Sequence, residues 1–213
     1  MPRPTALGAT ALAVLSAITL TGLTGCGSSA PAAYQGDPPA IPAYPLPSVP
    51  LLSTAGATVA LSRAGIGTAT VLYFGYTHCP DVCPTTMADL SAALRGLPAA
   101  VQKKTEVVFV SSDPVRDTGP AIDEWLGQFH FPVKTVGLRG TVAQVDAAGK
   151  QAGVILEPPR TLPDGTVDVE HSAVITGYDP AGQDRVEWLV EQDDASALTH
   201  ELMHDLPLLI KGT

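Results

Sequence analysis

Two cysteines four residues apart, set where an apolar run turns into a helix, constrain this chain more than any other feature. Thr70–Gly75, the last six residues of the run T-A-T-V-L-Y-F-G that starts at Thr68, is β-branched and aromatic and reads as a buried strand. Pro84 opens a helix that runs to about Leu97. Between them lies Gly75-Tyr76-Thr77-His78-Cys79-Pro80-Asp81-Val82-Cys83-Pro84. Both thiols therefore sit on a loop from a strand end into a helix N-terminus. Free N–H groups and partial positive charge there stabilise a thiolate, the form that attacks disulfides and binds metal. The spacing is C-x-x-x-C, not the C-x-x-C of thioredoxin-like oxidoreductases. The extra residue brings both sulfurs to one side, as for i and i+4 on a helical turn. Convergent soft thiolates favour copper(I), zinc or an iron–sulfur cluster. A cluster wants four thiolates, and the chain has three cysteines in all. A structural disulfide is the bland alternative, although so small a loop gains little from unfolded-state entropy.

The third cysteine is accounted for by the N-terminus. Residues 1–25 read as an export signal: Arg3, then an apolar stretch from Ala6 to Leu23, short for a membrane span. It ends Leu23-Thr24-Gly25-Cys26, which resembles a bacterial lipobox and makes Cys26 the expected lipidation site. An ordinary signal peptide with a chance cysteine is the alternative. Residues 26–50 then form a lipidated, proline-rich tether with seven prolines. Such a segment buries too little apolar surface to order itself, and at about 3.1 Å per residue it reaches roughly 70 Å. Residues 51–213 are expected to form one domain. The expected location is the outer face of the cytoplasmic membrane, lipid-anchored. There, two close cysteines form a disulfide or hold a metal. A net charge of −9, from 21 acids against 12 bases, excludes a nucleic-acid binder and docking on anionic lipid by charge alone.

Within the domain, strands and helices alternate. Leu51–Leu61 reads as a hairpin around Ala55-Gly56. Glu106–Ser111 is a second buried strand, Pro120 opens a helix to about Phe129, and Lys134–Gly137 is a short strand. Thr141 caps a helix through Ala152, which Gly153 ends. Asp164-Gly165 is a turn between extended pieces. Ser172–Tyr178 and Arg185–Val190 make a hairpin, and Ser196–Leu206 is a final helix. The pattern is α/β, with helices on both faces of a mixed central sheet.

The run G-Y-T-H-C-P-D-V-C-P-T-T-M resembles the signature of the Sco/SenC family. Ser112-Asp113-Pro114-Val115-Arg116-Asp117-Thr118 resembles its D-P-x-R-D-T stretch. Glu170-His171-Ser172, before a strand ending Tyr178-Asp179-Pro180-Ala181-Gly182, resembles the segment that carries its ligand histidine. The matches cover about Val49 to Val190. The resemblance implies a thioredoxin-like fold and a membrane-tethered copper protein that helps assemble the dinuclear copper centre of cytochrome c oxidase. It implies Cys79, Cys83 and His171 as ligands of one copper ion, Cu(I) or Cu(II), with Asp81 the nearest carboxylate. The implied partners are the copper-site subunit of the oxidase and a thiol reductase. The residues alone add a modest case for His171. It ends an extended polar segment, and no proline lies between Pro163 and Pro180 to face the cysteines as in a thioredoxin-like reductase. A trigonal S,S,N site suits copper(I). A surface histidine among acids is the other reading. The competing function is a thiol–disulfide oxidoreductase in which Cys79 and Cys83 cycle to keep oxidase cysteines reduced. A redox or copper sensor trails both, because nothing resembles an output domain.

Remaining motifs receive plainer readings. In the Asp113–Thr118 stretch, a local Arg116–Asp117 ion pair is expected to shape the rim of the site, with a partner contact as the alternative. His200-Glu201-Leu202-Met203-His204 matches H-E-x-x-H on a helix, but the helix is terminal and no third ligand follows, so a solvated face is expected. His78 is limited to tuning the site. Tyr73, Phe74 and Phe109 are read as core, Tyr76 as flanking the metal or simply packing, and Trp125 and Trp188 as packing, with Trp188, on a late strand, open to partial exposure.

Overall fold

The computed structural model describes residues 33–39, 42–165, 167–169, 172, 174–190 and 196–212. Cys26, Glu170 and His171 lie outside the described residues. In chain order the elements are β1 (Leu51–Ser53), β2 (Thr58–Val59), α1 (Leu61–Ala64), β3 (Ala69–Gly75), α2 (Val82–Gly96), α3 (Ala99–Gln102), β4 (Thr105–Ser111) and α4 (Gly119–Gly127). There follow β5 (Lys134–Arg139), α5 (Val142–Gln151), β6 (Arg160–Thr161), β7 (Val167–Asp168), β8 (Val174–Tyr178), β9 (Asp184–Leu189) and α6 (Ala197–Leu209).

The main sheet has strand order β2-β1-β5-β4-β3-β8-β9, and β6 pairs with β7 separately. Parallel pairing joins β3 to β4 and β4 to β5, whereas β1, β8 and β9 run antiparallel to their neighbours. Every residue of β3 and β4 is buried, as continuous apolar runs in a sheet covered on both faces require. Side chains alternate across that sheet. Val71, Tyr73, Val107 and Phe109 pack with Met87, Leu90 and Leu94 of α2, Ile122 of α4 and Leu202 and Leu206 of α6. Leu72, Phe74, Val108 and Val110 face Val145 and Ala148 of α5 and Leu46, Leu51 and Leu61. The mixed sheet flanked by helices is thus the one the sequence reading expects.

Local signals explain most boundaries. The β1–β2 turn carries Gly56 at φ +84°, and Gly165 at φ +85° turns β6 into β7. The Thr118 side chain accepts from Ala121 N–H to start α4, and Thr141 with Gln144 forms a capping box for α5. Helix α2 begins two residues before Pro84, and α6 continues past its expected end with Pro207 inside it.

The stretch read as an unordered tether behaves differently where it is described. Asp37 and Glu187 exchange backbone hydrogen bonds of 2.8 and 2.9 Å, Asp184 N–H donates to Tyr44 O at 3.2 Å, and Leu46 N–H donates to Gly182 O at 3.0 Å. Gln35 and Gly36 N–H donate to the buried Asp205 carboxylate at 2.8 and 2.9 Å. The segment covers the open edge of β9, so its unpaired backbone groups are satisfied rather than exposed. Gly36 is needed for this approach: a Cβ there would lie 2.6 Å from Val186 Cγ2 and 2.7 Å from Trp188 Cδ1. Trp188 packs in the core as expected and is fully buried, with no partial exposure, and its Nε1–H donates to Asp205 at 2.9 Å.

Candidate metal centre

Strand β3 ends at Gly75, paired with Ser111 at the end of β4, so the loops after both strands emerge side by side. This is the carboxyl edge of the parallel strands, where sites in open α/β sheets form. Cys79 N–H donates to Tyr76 O at 3.3 Å, closing a turn, and helix α2 follows. The N-cap residue Asp81 makes no capping bond with its side chain. Instead, Cys79 Sγ accepts the Cys83 N–H of the first turn at 3.3 Å. The sulfur thus occupies the acceptor position of a helix N-terminus, where the axial dipole favours negative charge.

Cys79 and Cys83 are both free thiols, 8% and 0% exposed. Cys83 receives the Tyr73 phenol O–H at 3.5 Å. Burial pushes the Cys83 thiol up to about 12; bonds from Tyr73 and the Tyr76 backbone oppose the rise, and the adjoining Cys79 adds to it. Tyr76 stands beside Cys79, with its phenol also raised to about 12, first by burial and then by Cys79. Two adjoining soft donors, one of them desolvated, fit a soft thiophilic ion better than a hard one. A cation that binds must displace the Cys83 proton.

The second motif holds the loop of the first. Asp117, fully buried, accepts the Thr77 N–H at 3.1 Å, the Thr77 hydroxyl at 2.6 Å and the Ser111 hydroxyl at 2.6 Å. His78 Nδ1 lies 3.4 Å from the same carboxylate. The expected Arg116–Asp117 pair does not form: Arg116 is bonded to Asp113 instead, which leaves Asp117 for Thr77. The reason is geometric, since Asp117 points inward to the loop hydroxyls while Asp113 lies at i−3 from the arginine. His78, Asp113 and Asp117 are also, among the described residues, the one group of three or more potential hard-metal ligands within reach of one another. Thr77, Ser111 and Arg116 already occupy those carboxylates.

Elsewhere, Asp81 is exposed at the loop tip. His200 and His204 are exposed on α6, and His204 Nδ1 is 2.7 Å from Asp205, so H-E-x-x-H serves a helix face. His171 lies outside the described residues. Its neighbour Ser172 is buried, and the Ser172 N–H donates to Phe74 O at 2.9 Å, one residue before β3 ends. Sequence reasoning missed the contact of Tyr73 with Cys83 and that of Asp117 with Thr77. Neither leaves a local signal, because each joins elements that meet only in the folded sheet. No helix among the described residues is long and apolar enough to cross a membrane.

The SCO1/SenC family model matches residues 50–204. SenC of Rhodobacter capsulatus is 37% identical over 132 residues, 61% of this chain and 57% of that protein. The chain spans 38% to 57% of the length of the curated relatives it matches. Among solved structures, apo Sco1 from Thermus thermophilus has a TM-score of 0.67 and 29% identity, covering 83% of this chain and 97% of that one. Bradyrhizobium japonicum ScoI with copper bound has a TM-score of 0.63 and 27% identity, covering 82% of this chain and 99% of that one.

Proposed function

The chain belongs to the SCO1/SenC family, and from that premise we propose that it carries copper to the dinuclear copper centre of cytochrome c oxidase. One ion, as Cu(I) or Cu(II), is held by Cys79, Cys83 and His171. The observation that carries this reading is the pair of free, adjoining thiols at the head of α2. Support for the third ligand is topological: β8 starts beside the carboxyl end of β3, and Ser172 is bonded to Phe74. The copper-bound ScoI relative supports the choice of metal.

Each protein group has a defined part. Cys79, at the helix terminus, places its sulfur within reach of the Cys83 N–H dipole. Cys83 supplies the desolvated sulfur and yields its proton on binding. Cys79 retains slight exposure where Cys83 has none, so an acceptor thiolate on the oxidase subunit exchanges first at Cys79 and last at Cys83. Reversible binding of this kind needs both cysteines reduced, and outside the cytoplasm that requires a partner thiol reductase. Lipidation at Cys26 would hold the domain on the outer face of the cytoplasmic membrane.

The test is an anaerobic copper titration of the full-length chain carrying Cys26→Ser, fully reduced, read by X-ray absorption and chelator competition. One copper bound through two sulfurs and one nitrogen, with the nitrogen and at least tenfold affinity lost in His171→Ala, is expected. Weak binding that is equal in both proteins overturns the assignment of His171. No stoichiometric binding at all overturns the copper reading.

A further inference from the structure

Tyr73 is fully buried in the middle of the sheet, on β3. A buried phenol normally finds a partner, because leaving its O–H unpaired costs free energy. Tyr178 shows the contrast: its buried hydroxyl has no partner among the described residues. The Tyr73 hydroxyl is directed to Cys83 Sγ at 3.5 Å. Its ring is set against Phe109, with centroids 6.3 Å apart and planes at 51°. The backbone leaves room for this contact. Gly75 lies on the same face of β3, and a Cβ there would be 2.9 Å from Tyr73 Cε1 and 3.0 Å from Cys83 Sγ. Tyr73, Gly75 and Phe109 therefore form a wall that determines where the inner sulfur can sit.

We propose that Tyr73 is a positioning residue for the inner sulfur: its O–H donates to Cys83 Sγ, holds it toward Cys79, and remains bonded to that sulfur when it ligates metal. The metal-bound part of this statement rests on the copper reading above; the hydrogen bond itself does not. A donor aimed at a ligating sulfur withdraws electron density from it and stabilises its anionic form in a desolvated site. The rigid ring makes the donor pre-oriented, so no side chain has to be ordered on binding.

The experiment compares wild type, Tyr73→Phe and Tyr178→Phe in the full-length Cys26→Ser chain. In the metal-free, reduced proteins, infrared spectra of the S–H stretch should show one of the two bands of the Cys79–Cys83 pair shifted by Tyr73→Phe and neither by Tyr178→Phe. With copper(II) bound, Tyr73→Phe should move the sulfur-to-copper charge-transfer band to lower energy. Copper(I) affinity should fall about tenfold, the scale of one lost hydrogen bond to a charged group. A purely structural role would lower the melting temperature and leave both bands in place. Should Tyr73→Phe fail to fold, 3-fluorotyrosine at position 73 strengthens the donor and must shift both bands the opposite way. Unchanged S–H and charge-transfer bands in a folded variant overturn the proposal. If wild type binds no copper, the copper reading falls while the S–H result still decides the role of Tyr73.

Discussion

The carboxylate of Asp117 accepts both the backbone N–H and the hydroxyl of Thr77, at 3.1 and 2.6 Å. The loop that carries Cys79 is thereby pinned to the segment that follows β4. Asp117→Asn keeps the shape but turns one acceptor into an NH₂ group facing donors. The expected result is a loss of about 2 to 3 kcal/mol in denaturant unfolding and weaker copper binding, because a buried charged acceptor is lost. Wild-type stability and affinity in Asp117→Asn would show that the loop is held without this bond.

Gly75 supports the other sulfur. Gly75→Ala places a methyl group 3.0 Å from Cys83 Sγ and 3.1 Å from Phe109 Cε2. Neighbours in a packed sheet yield little, so the variant should lose about 1 to 3 kcal/mol. Its sulfur–copper distances should also change in X-ray absorption. A variant with native stability and native distances would show that the wall around the sulfur is soft.

Asp205 joins three parts of the molecule: the N–H groups of Gln35 and Gly36, the Trp188 indole and His204. Asp205→Ala should expose residues 33–50 to limited proteolysis and alter Trp188 fluorescence, at a cost of about 2 to 4 kcal/mol. Unaltered protease resistance of that segment in the variant would show that its bonds to β9 suffice.

Asp184 gives a pH dependence of defined sign. It is buried, neither carboxyl oxygen has a hydrogen-bond partner among the described residues, and its pKa is raised to about 7, first by burial and then by Glu187. The folded state thus holds a proton that the unfolded chain gives up near pH 4. This contribution to stability is complete below pH 4 and is lost as pH rises through about 7. Asp184→Asn should remove about 1 to 2 kcal/mol of that decline between pH 5 and 8, measured by denaturant titration at each pH. An identical decline in the variant would assign the slope to other groups.

The amino-acid order by itself determined what depends on neighbours in the chain. Two β-branched apolar runs make β3 and β4, Thr118 and Thr141 start their helices, and the C-x-x-x-C spacing sets Cys79 against the first turn of α2. These follow from short-range sterics, alternation and capping, which are readable in a window of a few residues. Only tertiary structure decided the remainder. It brought Tyr73 to Cys83 across ten residues and Asp117 to Thr77 across forty, and laid a proline-rich segment along β9. In each case a buried donor, acceptor or strand edge had several possible partners in the chain. The choice among them was made by which groups the packed sheet excluded from water together, and no local pattern encodes that proximity.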